Sequence, residues 1–211
     1  MDIRLKTLLD ESKTIILDFD NTIAATEQFA WPAFNNVLKD FNVELKEEHI
    51  KRYIGNTDRV IFSMIEKDFD ITIDFDYYFN KRIKFYIESV IASDLKPFKY
   101  VYEILNEFKD RDIYILSSNT KKAIVEILKN WKLDTYFKEV YSMIDLKSTK
   151  EEFIKNSLLP DYFNTKSEDL IVFEDSAKTI NMAKSYGAKT VFIKNEINKN
   201  DSCSCDYIIE T

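Results

Sequence analysis

The sequence predicts an α/β fold, a doubly wound (Rossmann-like) parallel sheet with an all-helical cap inserted after the first strand. Three observations carry this prediction. Short apolar runs recur along the chain with amphipathic stretches between them. The runs lack the strict alternation of strands that show one face to water. One long segment near the N-terminus has helical periodicity and no strand pattern.

The apolar runs are Thr14 to Asp18, Asp112 to Ser117, Val140 to Met143, Asp169 to Phe173 and Thr190 to Ile193, with a sixth at Tyr207 to Ile209. Their β-branched and aromatic content suits strands buried on both faces. Helical spacing joins Val101, Ile104, Leu105 and Phe108, then Ala123, Ile124, Ile127, Leu128 and Trp131, then Ala177, Ile180, Ala183 and Tyr186. Gly187 follows the last set, where a helix terminus takes a left-handed residue. In the inserted segment, Phe29, Ala33, Phe34, Val37, Leu38 and Phe41 mark one helix, with Pro32 tolerable in its first turn. Phe75, Phe79, Ile83, Tyr86, Ile87, Val90 and Ile91 mark a longer one. The expected division is a core of residues 1–23 and 95–211 and a cap of residues 24–94. A length of 211 residues suits one sizeable core with one smaller insertion.

Composition narrows the chemistry. A net charge of -7 disfavours nucleic acid and anionic membrane as partners. Met1 to Lys13 lacks the apolar stretch of a signal peptide, and only Cys203 and Cys205 are present, so a reducing, cytoplasmic setting is expected, with the two thiols exposed on a loop. Two glycines, Gly55 and Gly187, are too few for a Walker loop or a dinucleotide fingerprint. His49 is the only histidine and lies in a charged helical stretch, which disfavours histidine triads and histidine-rich metal sites. Carboxylates, hydroxyls, amides and lysines remain.

Parallel strands bring their C-terminal ends to one edge, where ligands bind. Here the first run ends Asp18-Phe19-Asp20-Asn21-Thr22, the second Ser117-Ser118-Asn119, and the fourth Glu174-Asp175-Ser176. A lone Asp-x-Asp is commonly a turn cap, but three polar strand ends converging on one rim point to a site. Asp18 and Asp20 leave the same face of an extended chain, and Glu174 and Asp175 add to the repulsion, so the cluster demands a cation. An all-oxygen donor set suits magnesium.

These segments resemble the motifs of the haloacid dehalogenase superfamily. Asp18-Phe19-Asp20-Asn21-Thr22 is similar to its first motif, Ile115 to Asn119 to its second, Lys147 to the lysine of its third, and Val172 to Ser176 to its fourth, in order over most of the chain. The helical insertion after the first motif matches the subgroup with a helical cap. The resemblance implies Asp18 as nucleophile, Asp20 as acid and base, Thr22 orienting Asp20, Ser118 donating to a phosphoryl oxygen, Asn119 holding Asp18, and Lys147 neutralising the transferring group. It also implies magnesium on Asp18, the carbonyl of Asp20 and Asp175, with Glu174 beside them. Asn21 stands where the family usually has Gly, and Ser148 where Pro is common. Lys150 is the alternative to Lys147, and Ser148 and Glu151 have the spacing of a capping box that starts a helix just after Lys147. Asp20 points to phosphate esters and hence to a phosphatase of a small phosphorylated metabolite. A sugar-phosphate mutase is the nearest alternative. A receiver-like signalling domain or a catalytically idle binding protein would be of another class.

Overall fold

A computed structural model of the chain describes residues 1–157 and 166–211. Six strands form one sheet: β1 (Thr14–Leu17), β2 (Asp112–Ser117), β3 (Glu139–Ser142), β4 (Leu170–Glu174), β5 (Lys189–Lys194) and β6 (Tyr207–Glu210). They run β3-β2-β1-β4-β5-β6 and every pairing is parallel. The order reverses direction at β1, so the crevice beyond its C-terminal end lies at the topological switch point. The fold is the doubly wound α/β class that the apolar runs predict.

The helices among the described residues are α1 (Ile3–Asp10), α2 (Ala30–Leu38), α3 (Glu47–Tyr53), α4 (Asp58–Phe69), α5 (Phe75–Ala92), α6 (Lys99–Glu107), α7 (Lys121–Trp131), α8 (Met143–Leu146), α9 (Lys150–Ser157) and α10 (Ala177–Ser185). None is long and apolar enough to cross a membrane. Helix α1 has no counterpart among the predicted elements. Only Leu5 and Leu9 of it are buried, too sparse a stripe to stand out, and the Asp2 side chain caps its N-terminus through the Arg4 N–H at 2.9 Å.

The chain forms two compact units, residues 1–25 with 95–211, and residues 26–94. In the first, all four residues of β1 and all five of β4 are buried. On one sheet face Ile16, Tyr114, Leu116 and Val172 pack with Met143, Phe153 and Ile154. Pairing of Leu17 with both Ile115 and Phe173 fixes the register at the site edge. Cys203 and Cys205 are half-buried, not exposed as expected, because the loop before β6 lies against the sheet and α10: the Ser204 N–H donates to Asn181 Oδ1 at 2.8 Å, and the N–H of Asp206 to the Thr190 carbonyl at 3.0 Å. Burial and the neighbouring Cys205 push the Cys203 thiol up to about 12, which makes it a poor nucleophile.

The second unit is all helical. Phe34, Val37 and Leu38 of α2 pack with Tyr53 of α3 and with Ile61, Phe62 and Ile65 of α4. Pro32 occupies the first turn of α2, where it blocks no helical hydrogen bond. His49 is structural: its Nδ1 accepts the Lys46 N–H at 3.0 Å. Arg82 of α5 is buried, 2.6 Å from Asp58 at the start of α4 and 4.8 Å over the Phe34 ring of α2, so one guanidinium ties three helices. Burial pushes the Asp58 carboxyl up and Arg82 opposes it. Breaking a buried ion pair from one side leaves an uncompensated charge. Asp58→Ala is therefore expected to lower the unfolding free energy by about 3–5 kcal/mol in urea titration. Arg82→Met is expected to cost less, because the partly exposed Asp58 can take up a proton.

Candidate active site

Leu17 pairs with Phe173, so the next residues along the two strands, Asp18 and Glu174, emerge side by side. The Asp18 N–H donates to the Phe173 carbonyl at 2.9 Å and carries the ladder one step further. Both side chains are buried. Asp175 follows at the turn into α10, and carboxylate oxygens of Asp18, Glu174 and Asp175 lie within 4.8 Å of one another.

Among the described residues, one cation enters this group. Lys150 Nζ lies 2.7 Å from Asp18 Oδ1 and 3.1 and 2.9 Å from Glu174 Oε1 and Oε2. Burial pushes the Asp18 carboxyl up to about 7, with Asp175 and Asp20 adding to the rise and Lys150 holding it down. Glu174 is raised well above the usual carboxylate range, by burial first and then by Asp18. Burial works against the Lys150 ammonium, yet Asp18 and Glu174 together outweigh it and lift its pKa. Three carboxylates against one ammonium leave two negative charges when all three acids are ionised, as a bound cation would make them. A hard divalent cation fits that balance and that all-oxygen donor set.

Lys150, not Lys147, is the lysine of the cluster. The capping box sits one residue later than the sequence spacing suggests: the Glu152 N–H donates to Thr149 Oγ at 3.1 Å and the Thr149 N–H to Glu152 Oε2 at 3.3 Å. This makes Lys150 the first residue of α9, whereas Lys147 is exposed and left-handed (φ 51°) at the end of α8.

Two other positions differ from what the resemblance implies. Asn119 Nδ2 donates to Asp20 Oδ2 at 3.1 Å, so it holds Asp20 and not Asp18. The Thr22 hydroxyl is buried with no hydrogen-bond partner among the described residues, so it does not orient Asp20. The Thr22 carbonyl instead accepts the Tyr100 hydroxyl. Tyr100 is buried against Phe98 and Phe173, with ring centroids 6.0 and 6.3 Å away. Its phenol is raised well above its usual value by burial, then by Asp18 and Asp175. Ser118 is exposed at the end of β2. Buried Ser117 accepts the Asn119 N–H at 3.0 Å and the Asn119 side-chain oxygen accepts the Thr120 N–H at 2.8 Å, which orients the Asn119 amide. Asn21 has φ 57°, a left-handed conformation that suits Gly and that Asn adopts most readily of the other residues, so its departure from the family pattern preserves the turn.

Sequence reasoning missed Tyr100, Asn195 and Asn198. Asn198 Nδ2 donates to the carbonyl oxygens of Asp175 and Ile193, each at 2.8 Å, and Asn195 Nδ2 lies 3.5 Å from Asp175 Oδ2. Only the position of both asparagines just after β5 could have signalled them.

Comparison with known proteins agrees with this architecture. The chain is 24% identical over 182 residues to the phosphorylated carbohydrates phosphatase of Thermotoga maritima, covering 85% of this chain and 84% of that protein. The structure of CbbY from Rhodobacter sphaeroides in complex with xylulose-1,5-bisphosphate superposes with a TM-score of 0.79 at 11% identity, covering 94% of this chain and 93% of that one. The HAD-hydrolase YfnB of Bacillus subtilis, bound to magnesium, gives a TM-score of 0.70 at 17% identity over 94% of each chain. The model of the haloacid dehalogenase-like hydrolase family matches residues 15–193, and with Asp18, Lys150, Glu174 and Asp175 gathered at the sheet edge the chain belongs to that family.

Proposed function

We propose that this chain is a magnesium-dependent phosphatase that hydrolyses a small phosphorylated metabolite, of the phosphorylated-carbohydrate class, through a phosphoaspartate on Asp18. The observation that carries the reading is the buried Asp18 at the switch point of the sheet, ion-paired to Lys150 beside Glu174 and Asp175. The substrate class is supported by the activity named for the Thermotoga relative and by the sugar bisphosphate bound in the CbbY structure.

In the first step an Asp18 oxygen forms a bond to phosphorus while the ester P–O bond breaks, and Asp20 protonates the departing oxygen. In the second step Asp20 takes a proton from water, the water oxygen bonds to phosphorus, and the bond between phosphorus and Asp18 breaks. Inorganic phosphate leaves and the carboxylate is restored. Asn119 keeps Asp20 in one orientation through both steps. The Lys150 ammonium opposes the rise that burial imposes on the Asp18 pKa and supplies positive charge to the phosphoryl oxygens, with the Ser118 hydroxyl as a further donor. Asp18, Asp175 and Glu174 would hold the magnesium, which when bound offsets the repulsion between carboxylate and phosphate.

A screen of phosphorylated carbohydrates that follows both phosphate release and isomer formation tests the reading. Release without isomerisation is expected, and it should disappear with EDTA. Asp18→Asn should lower turnover by at least about a thousandfold, and Asp20→Asn should collapse it as well. Wild-type turnover in Asp18→Asn would remove the nucleophile from Asp18.

The two lysines separate cleanly by substitution. Lys150→Ala should cost about a hundredfold or more in kcat. It should also lower the stability of EDTA-treated protein, because Asp18 and Glu174 lose their shared partner. Lys147→Ala should behave as wild type in steady-state kinetics.

Protein stripped of divalent ions should lose stability as pH rises from about 4 to 7. Folded Asp18 holds its proton up to about 7, and Glu174 is raised in the same direction, so the folded state binds more protons than the unfolded state across that window. Magnesium should reverse the loss, raising Tm more at pH 8 than at pH 5 in calorimetry.

A further inference from the structure

Asp175 follows the end of strand β4 and leads the chain into α10. Asn198 reaches it from the turn after β5. It is only 6% exposed, and its Nδ2 donates to the carbonyl oxygen of Asp175 and to that of Ile193 in β5, at 2.8 Å each. Its Oδ1 accepts the Asn195 N–H at 2.8 Å, so both donor hydrogens and the acceptor of this buried amide are used.

Asn195 closes the turn from the other side. Its Oδ1 accepts the N–H groups of Ile197 at 2.9 Å and Asn198 at 3.2 Å, while its Nδ2 reaches the Asp175 carboxylate at 3.5 Å. A turn that needed only to close would be satisfied by the contacts among residues 193–198. The bond to the Asp175 carbonyl is superfluous for closure, and it is the one that reaches the acid cluster. An aspartate in place of Asn198 would donate nothing to either carbonyl, and a serine is too short to span both.

We propose that Asn198 is a positioning residue for Asp175: by tying the Asp175 main chain to the end of β5 it aims the carboxylate toward Asp18 and Glu174 and thereby sets the affinity for a divalent cation. Asn195 acts in the same direction by fixing the Asn198 amide. The inference rests on reading the three acids as a cation site.

Isothermal titration of EDTA-treated and dialysed protein with magnesium chloride, without substrate, tests it on wild type, Asn198→Ala and Asn195→Ala. Thermal unfolding and the magnesium dependence of phosphate release are followed in parallel. In Asn198→Ala the magnesium Kd should rise by about tenfold or more. The magnesium concentration for half-maximal rate should rise by a similar factor, while the rate at saturating magnesium falls far less. Asn195→Ala should shift both in the same direction by a smaller factor. A variant that binds magnesium as wild type and shows only a lower Tm would make the turn a structural brace and overturn the proposal. Should Asn198→Ala fail to fold, an unchanged Kd in the half-buried Asn195→Ala overturns it equally. Wild-type protein that binds no magnesium overturns the cation-site reading and the clamp together, whereas normal wild-type binding with unaltered variants overturns the clamp alone.

Discussion

The contact on which this site depends is the ammonium of Lys150 held between Asp18 and Glu174. Parallel register forces those two carboxylates together: Leu17 opposite Phe173 leaves the next pair of side chains adjacent at the edge, both withdrawn from water. Two buried anions at such separation repel strongly in a medium of low effective dielectric. The sheet tolerates them because a helix begins with its lysine aimed between them. A positive side chain in the first turn of α9 opposes the helix dipole, an effect of a few tenths of a kcal/mol to about 1 kcal/mol at a surface, which is small against the charge pairing it permits. Placement of that lysine rests on the Thr149 and Glu152 capping box, so a local helix-start signal fixes a long-range electrostatic contact.

Around this centre, the two acids that follow the strands are steadied by amides. Asn119 grips the carboxylate of Asp20, and Asn198 grips the backbone of Asp175. An amide donates hydrogen bonds without adding a net charge, so it fixes an acid without neutralising it as a lysine does. The chain thus uses its buried cation where charge must be neutralised and amides where orientation is required. Tyr100 extends the same logic beneath the loop after β1, where a phenol anchors the Thr22 carbonyl and adds no charge.

Sequence made some of this legible and hid the rest for physical reasons. The apolar runs identify all six strands: β1, β2, β4 and β5 are covered on both faces and read as nearly continuous hydrophobicity, whereas the edge strands β3 and β6 are only partly covered and give shorter signals. Asp18, Asp20, Glu174 and Asp175 stand out because acids directly after buried strands have no ordinary structural use together. The choice between Lys147 and Lys150 turned on whether Ser148 or Thr149 starts the helix. Both spacings offer a hydroxyl followed three residues later by a glutamate, and only the packed structure separates them. Asn119 is visible as a strand-end residue, but its partner depends on side-chain direction at the edge, which residue spacing does not encode. Tyr100 and Asn198 carry no local signal, since an apolar-spaced tyrosine in a helix and an asparagine in a turn are ordinary. Their roles arise from elements far apart in the chain.

The scarcity of glycine bears on the same loops. Among the described residues, Asn21, Asn42, Asp70, Lys132 and Lys147 adopt left-handed backbone conformations, whereas Gly55 and Gly187 are the only glycines in the chain. A left-handed residue with a side chain costs roughly 1–2 kcal/mol, less for Asn and Asp, whose short polar side chains bond locally. Against a folding stability of about 5–15 kcal/mol for a typical domain, five such positions form an appreciable load. The load is distributed by function. Asn21, in the turn that carries Asp20, is an asparagine and is buried, so the strained position nearest the chemistry is filled by the residue that bears the conformation best. The two lysines fall at helix ends, Lys132 after α7 and Lys147 after α8, where a positive charge near the C-terminus offsets part of the strain through the helix dipole. Lys147 is thereby committed to ending a helix, and this leaves the neighbouring helix start, and Lys150 with it, to serve the acids.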